Sequence, residues 1–150
     1  MNLQKSIDRV KVALSSNRQG GRPMPFVRVD LAKGRPPEIR RSIGEIVYKA
    51  MIEVINVPAD DKFQIITEHV ADDFNVARSY LGVTYSPGIV FIQITLNAGR
   101  SVDLKKAFYK QIADELHAQL DMRKEDIFIN LIEVAKENWS FGNGEAQYAL

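Results

Sequence analysis

The sequence predicts an α+β domain in which two tandem β-α-β units form a four-stranded mixed sheet with two helices on one face. Two observations carry this. Shifting the chain by 65 residues aligns Pro25–Val70 onto Val90–Ala135 without a gap, matching Phe26-Val27-Arg28-Val29-Asp30-Leu31 to Phe91-Ile92-Gln93-Ile94-Thr95-Leu96 and Gly34-Arg35 to Gly99-Arg100. Within each copy the apolar period changes from two to 3.6 and back, reading strand, helix, strand.

In chain order, Phe26–Leu31 alternates Val27, Val29 and Leu31 with polar Arg28 and Asp30, a strand with one buried face. A helix starts near Pro36, since proline suits a first turn, and Ile39, Ile43, Ile46, Val47, Ala50 and Val54 make one stripe on it. Lys62–His69 closes the first unit as a strand. Ile89–Leu96, rich in β-branched residues, opens the second and is the more buried strand. Ser101 is the N-cap of the second helix, Asp103 complements its dipole, and Leu104, Phe108, Ile112, Leu116 and Leu120 line its inner side. Ile127–Val134 is the closing strand. The connection Ala71–Gly88 reads as solvated crossover. A strand–helix–strand unit makes a parallel pair, so two units leave one sheet face bare, which predicts an oligomer.

Composition narrows the function classes. The 150 residues (17.0 kDa) are 45% hydrophobic and 26% charged, ordinary for one globular domain. No cysteine is present, which removes disulfides, thiolate zinc sites and thiol catalysis. With only His69 and His117, a multi-histidine metal site is not expected. The net charge of +1 points neither to nucleic acid nor to an acidic partner, and charges interrupt every apolar run before it reaches membrane-spanning length. The chain also lacks a Walker loop, a dinucleotide fingerprint and a serine-nucleophile elbow. These features predict a cytoplasmic domain.

The charge is uneven. Residues 1–24 hold five basic side chains and one acid, whereas the remainder holds 15 basic and 18 acidic residues. The domain division is therefore an extension, residues 1–24, and a domain, residues 25–150, made of repeats 25–70 and 90–135 plus a carboxyl-terminal tail. The extension reads in four ways: a transit peptide, a surface helix, a basic partner-binding arm, or translated leader ahead of a true start at Met24. The last is favoured because Gly20-Gly21 is encodable by a GGAGG-type purine run two codons before that methionine.

The duplicated unit beginning Met-Pro-Phe-Val-Arg-Val, with Gly-Arg ahead of the helix, resembles the tautomerase superfamily of 4-oxalocrotonate tautomerase relatives. Among two-unit members it is most similar to the malonate semialdehyde decarboxylase-like group. The matching stretches are Val57–Gln64, Asn97-Ala98-Gly99-Arg100-Ser101 and Glu137-Asn138-Trp139-Ser140-Phe141-Gly142. The resemblance spans Pro25 to Leu150 and implies the tautomerase/MIF-like fold, a homotrimer, no cofactor and a small carboxylate substrate.

It also implies an amino-terminal proline base. With Met24 as initiator and removed, Pro25 would carry a free secondary amine, whose pKa an apolar pocket and nearby guanidinium groups would lower. Such an amine can take a proton from one atom of the substrate and return it to another, which keto–enol isomerisation requires between oxygen and carbon. Joined to Met24, the same nitrogen is a tertiary amide and accepts no proton. By position alone Pro25 simply begins a strand.

Arg100, between a strand end and a helix start, is the candidate carboxylate clamp and stabiliser of enolate charge. Its repeat mate Arg35 is a second substrate-binding candidate. The decarboxylase resemblance implies another arginine two places before Arg100, where this chain has Ala98; Arg78 in the crossover is a spatial substitute. Asp61 matches the acid that assists the proline, although Asp60-Asp61 also suits an ordinary turn. Trp139 and Phe141 match an aromatic pocket wall, and the turn Gly142-Asn143-Gly144 brings Tyr148 back toward it. His69, His117 and Lys105-Lys106 read as structural or solvent-facing. The reading is a cofactor-independent tautomerase of small 2-oxo or enol carboxylic acids, with decarboxylation or hydration of a three-carbon acid as the rival. A non-catalytic trimeric binding protein is the alternative if residues 1–24 are retained.

Overall fold

A computed structural model describes residues 24–149. The readings of residues 1–23 lie outside the described residues. Strand β1 (Phe26–Ala32), helix α1 (Pro37–Ile55) and strand β2 (Gln64–His69) form the first unit; β5 (Val90–Asn97), helix α2 (Val102–Leu120) and β6 (Ile127–Val134) form the second. The sheet order is β2-β1-β5-β6. β1 pairs parallel with β2, β5 parallel with β6, and β1 antiparallel with β5. This is the mixed sheet that two β-α-β units dictate.

Both helices start and stop where local chemistry directs. Pro36 is the N-cap and Pro37 the first residue of α1, positions where a missing N–H costs nothing. Ser101 Oγ accepts from the Leu104 amide at 3.2 Å at the start of α2. Asn56 and Asp121 end the helices in the left-handed conformation, a role that short polar side chains tolerate. Gly44 marks a close approach of α1 to β2: a Cβ there would lie 2.6 Å from Gln64 Oε1, so the Gln64 side chain would have to shift, and 3.3 Å from Ile66 Cδ1.

The core lies between the helices and one sheet face. Val27, Val29 and Leu31 of β1 and Val90, Ile92, Ile94 and Leu96 of β5 are buried against Ile43, Val47, Met51, Phe108, Ile112 and Leu116. The central strands bury their alternate residues completely, whereas Ile66 and Ile129 on the outer strands are only partly covered. The opposite sheet face carries Ile65 (45% exposed), Phe128 (39%) and Ile132 (38%). His69, Phe74, Phe91 and Phe128 form successive ring contacts across that face, at centroid separations of 5.7, 5.5 and 5.0 Å. The bare face expected from the topology is present.

The crossover is largely exposed, as a solvated connection is, and it also has regular structure of its own. It contains a hairpin, β3 (Ser79–Tyr80) with β4 (Val83–Thr84), turned by Leu81 and Gly82, both at positive φ. A leucine at a positive-φ turn position gives no sequence signal of a hairpin. The carboxyl-terminal segment, residues 136–149, belongs to a separate compact unit. Within it, Gly142, Asn143 and Gly144 all have positive φ, and Gln147 ties the turn by accepting from the Phe141 amide and donating to the Gly142 carbonyl, each at 2.9 Å.

Candidate active site

Sheet register assembles one end of the sheet. Phe26 pairs with Thr95 and Val27 with Gln64, and the Val27 amide donates to the Phe63 carbonyl at 2.9 Å. Pro25, one residue before β1, therefore stands where β5 ends in Leu96-Asn97 and where the turn before β2 carries Asp61. Pro25 is buried, and Asp61 is only 7% exposed. The Asp61 amide donates to the Pro58 carbonyl at 3.1 Å, so the turn chemistry read from Asp60-Asp61 is present as well.

Arg100 enters the same end from the turn after β5. Its guanidinium donates to the Asn97 carbonyl at 3.1 Å and to the Ile55 carbonyl at 3.4 Å. Helix α1 has no basic residue in its last turn, so an arginine of the second repeat supplies the cation that its carboxyl end favours. Two carbonyls occupy two of the five guanidinium donors. Burial lowers the Arg100 pKa and the Glu133 carboxylate opposes that shift; arginine keeps its charge at any working pH. Pro25, Asp61 and Arg100 are thus brought together, by pairings 30 to 70 residues apart in the chain.

Arg35 is not at this end. It follows the carboxyl end of β1, where β5 and β6 begin, and donates to the Gly88 carbonyl at 2.6 Å. Burial lowers its pKa and Asp126 opposes the shift. Asp126, nearly fully buried, accepts from the Ser86 amide at 2.8 Å, from the Ser86 hydroxyl, and from Arg123 at 3.3 Å. Arg78 also lies at this far end, lining a cavity with Ala32 and Ile89, so within one protomer it does not stand in for the arginine replaced by Ala98. Trp139, Phe141 and Tyr148 cluster with one another: Trp139 stacks on Phe141 at 5.5 Å, and Tyr148 meets Phe141 edge-on at 4.9 Å. His69 Nε2 lies 2.7 Å from Asp30 Oδ1, and His117 Nδ1 lies 2.8 Å from the Met122 carbonyl.

Two protein-family profiles, both described as tautomerase enzyme, match this chain over residues 61–142 and 25–83. The chain belongs to the tautomerase family. Among relatives of this tautomerase-family chain, the probable tautomerase YusQ of Bacillus subtilis (strain 168) is 41% identical over 124 residues, which cover 83% of this chain and 98% of YusQ. The solved structure of FG41 malonate semialdehyde decarboxylase inhibited by 3-bromopropiolate is 38% identical, with a TM-score of 0.75 over 83% of this chain and 94% of that one. The symmetric trimer of Q0 fused 4-OT shares the fold at 24% identity, with a TM-score of 0.67 over 83% and 98% of the two chains. No described helix is long and apolar enough to cross a membrane.

Proposed function

We propose that this chain is a cofactor-independent tautomerase of small 2-oxo or enol carboxylic acids, with the Pro25 nitrogen as the base. One observation carries the proposal: sheet register brings a buried Pro25, a buried Asp61 and the half-buried Arg100 to one end of the sheet. Arg100 holds the substrate carboxylate with the donors not spent on Asn97 and Ile55, and its charge stabilises the enolate-like state. Pro25 removes the proton from the enol hydroxyl and delivers it to carbon, or runs the reverse transfer from the 2-oxo acid, so no co-reactant is consumed. Asp61 orients the amine or a water.

The mechanism requires chain initiation or processing that makes Pro25 the first residue. A family match beginning at residue 25 supports this start. The same reading includes assembly as a homotrimer, with the bare sheet face as the surface to be covered, in keeping with the trimeric fused 4-OT that shares the fold.

A second reading, decarboxylation or hydration of a three-carbon acid, is favoured by the 38% identity to a malonate semialdehyde decarboxylase. The exposed Ala98 speaks against a clamp of two neighbouring arginines.

The test has two parts. Intact mass of the native protein should correspond to a chain starting at Pro25. The Pro25-start form should then isomerise enol carboxylic acids, and Pro25→Ala should abolish that turnover. A native protein beginning at Met1, or an undiminished Pro25→Ala enzyme, would overturn the proline mechanism. Rapid malonate semialdehyde turnover with negligible isomerisation would select the second reading.

A further inference from the structure

The 65-residue repeat relates the two ends of the sheet. It carries Met24-Pro25 onto Ile89-Val90, Asn97 back onto Ala32, Arg100 onto Arg35, Trp139 onto Phe74 and Phe141 onto Val76. The far end is therefore built from the counterparts of the candidate catalytic residues. It contains a cavity of about 340 Å³ lined by Ala32, Phe74, Val76, Arg78, Tyr85 and Ile89, a size in the range of small-ligand pockets.

We propose that this cavity is a second, non-catalytic ligand site for a small carboxylate with an apolar body, anchored by Arg78. Three features point to that ligand class. The walls are aliphatic and aromatic, and Phe74 is held in place by ring contacts to His69 and Phe91. Arg78 brings a guanidinium to these walls, and among the described residues it has no ion pair or side-chain hydrogen bond. A guanidinium beside apolar surface pairs with a carboxylate in two-point fashion. The mouth is also preformed: the Tyr85 amide donates to the Arg78 carbonyl at 3.0 Å across the base of the β3–β4 hairpin, which sets the two lining residues opposite each other.

The same repeat explains why the site does no chemistry. At the proline position stands Val90, whose nitrogen is an ordinary strand amide joined to Ile89. Arg35, the counterpart of Arg100, is turned onto the Gly88 carbonyl and the Asp126 side. The candidate anchor at this end is therefore Arg78 rather than Arg35, nine residues past His69, the last residue of β2, and inside the crossover.

Benzoate is a suitable probe, with neutral benzamide as control. Titrated into the full chain labelled with ¹⁵N, benzoate should shift the amide signals of Arg78, Tyr85 and Ile89 saturably, and benzamide should do so more weakly. Arg78→Ala should weaken benzoate binding at these signals roughly tenfold or more, Arg78→Lys should weaken it less, and Pro25→Ala should leave it unchanged. The proposal is overturned if benzoate moves only signals near Pro25 and Arg100, if no saturable shift occurs, or if Arg78→Ala binds as the parent does. None of these outcomes depends on whether Pro25 acts as a base.

Discussion

The Gly99 amide donates to Glu133 Oε2 at 3.2 Å, and its repeat counterpart, the Gly34 amide, donates to Glu68 Oε2 at the same distance. Each glutamate also holds a cation from its own unit's helix: Lys105 pairs with Glu133, and Arg40, its repeat mate, pairs with Glu68 at 3.1 Å. Strand, turn and helix are tied at one carboxylate just before each arginine. Glu133 is therefore a positioning residue for Arg100. Glu133→Ala should raise KM by roughly 3- to 10-fold, the worth of about one hydrogen bond, with a smaller effect on kcat. Glu133→Gln, which keeps an acceptor for Gly99, should recover part of the loss. Steady-state kinetics of the Pro25-start form measure this.

Acid stability should report two depressed carboxylates. The Lys110 hydrogen bond, followed by that from Lys124, lowers the Asp114 pKa from 3.8 to about 2. The Lys105 hydrogen bond lowers that of Glu133 from 4.5. For each group the folded value lies below the unfolded one. Its contribution is present above the unfolded value and is lost as pH falls through the folded value. An NMR titration of the Asp114 carboxyl should show its midpoint near about 2. Lys124→Ala, which removes the 2.7 Å contact, should move that midpoint up toward 3.8.

The two repeat-related arginines should separate function from stability. Arg100→Ala should lower kcat/KM by roughly 100-fold or more, the scale of a lost charged contact to a developing anion. Arg35→Ala breaks the 2.6 Å bond to Gly88 and removes a cation near buried Asp126. It should cost about 1–3 kcal/mol of stability, read as a lower urea midpoint with unchanged m-value. A larger effect of Arg35→Ala than of Arg100→Ala on kcat/KM in a stably folded protein would reverse the assignment.

The uncovered sheet face should control assembly. Phe128 and Ile65 are large apolar side chains at 39% and 45% exposure on outer strands. Phe128→Glu or Ile65→Glu should shift the light-scattering mass from that of a trimer toward that of one chain without loss of the circular dichroism spectrum. A mass unaffected by both would show that the chains associate through another surface.

Much of the fold was legible because its cause is local. The alternation in Phe26–Leu31 and the stripe from Ile39 to Val54 are periodicities that burial imposes on any chain, and the duplication made each unit corroborate the other. Observed bounds differ by one or two residues, with β2 starting at Gln64 rather than Lys62 and β1 and β5 extending to Ala32 and Asn97. The β3–β4 hairpin was not legible, because its positive-φ turn uses Leu81, a residue without turn preference. The placing of Asp126 beside Ser86 and Arg35 is not legible in the sequence either, because those two residues lie 40 and 91 positions away along the chain.

By itself the sequence determined the repeat, the elements, the sided core and the residue types available for chemistry, since each follows from spacing along one chain. Which candidates share a site was decided only by the tertiary structure. Parallel pairing of β1 with β2 and antiparallel pairing with β5 bring Pro25, Asp61 and Arg100 to one end of the sheet. The same pairing sends Arg35 and Arg78 to the other. Strand direction is a property of contacts between distant segments, and it sends one of two nearly equivalent arginines to the end of the sheet that holds Pro25 and the other to the opposite end.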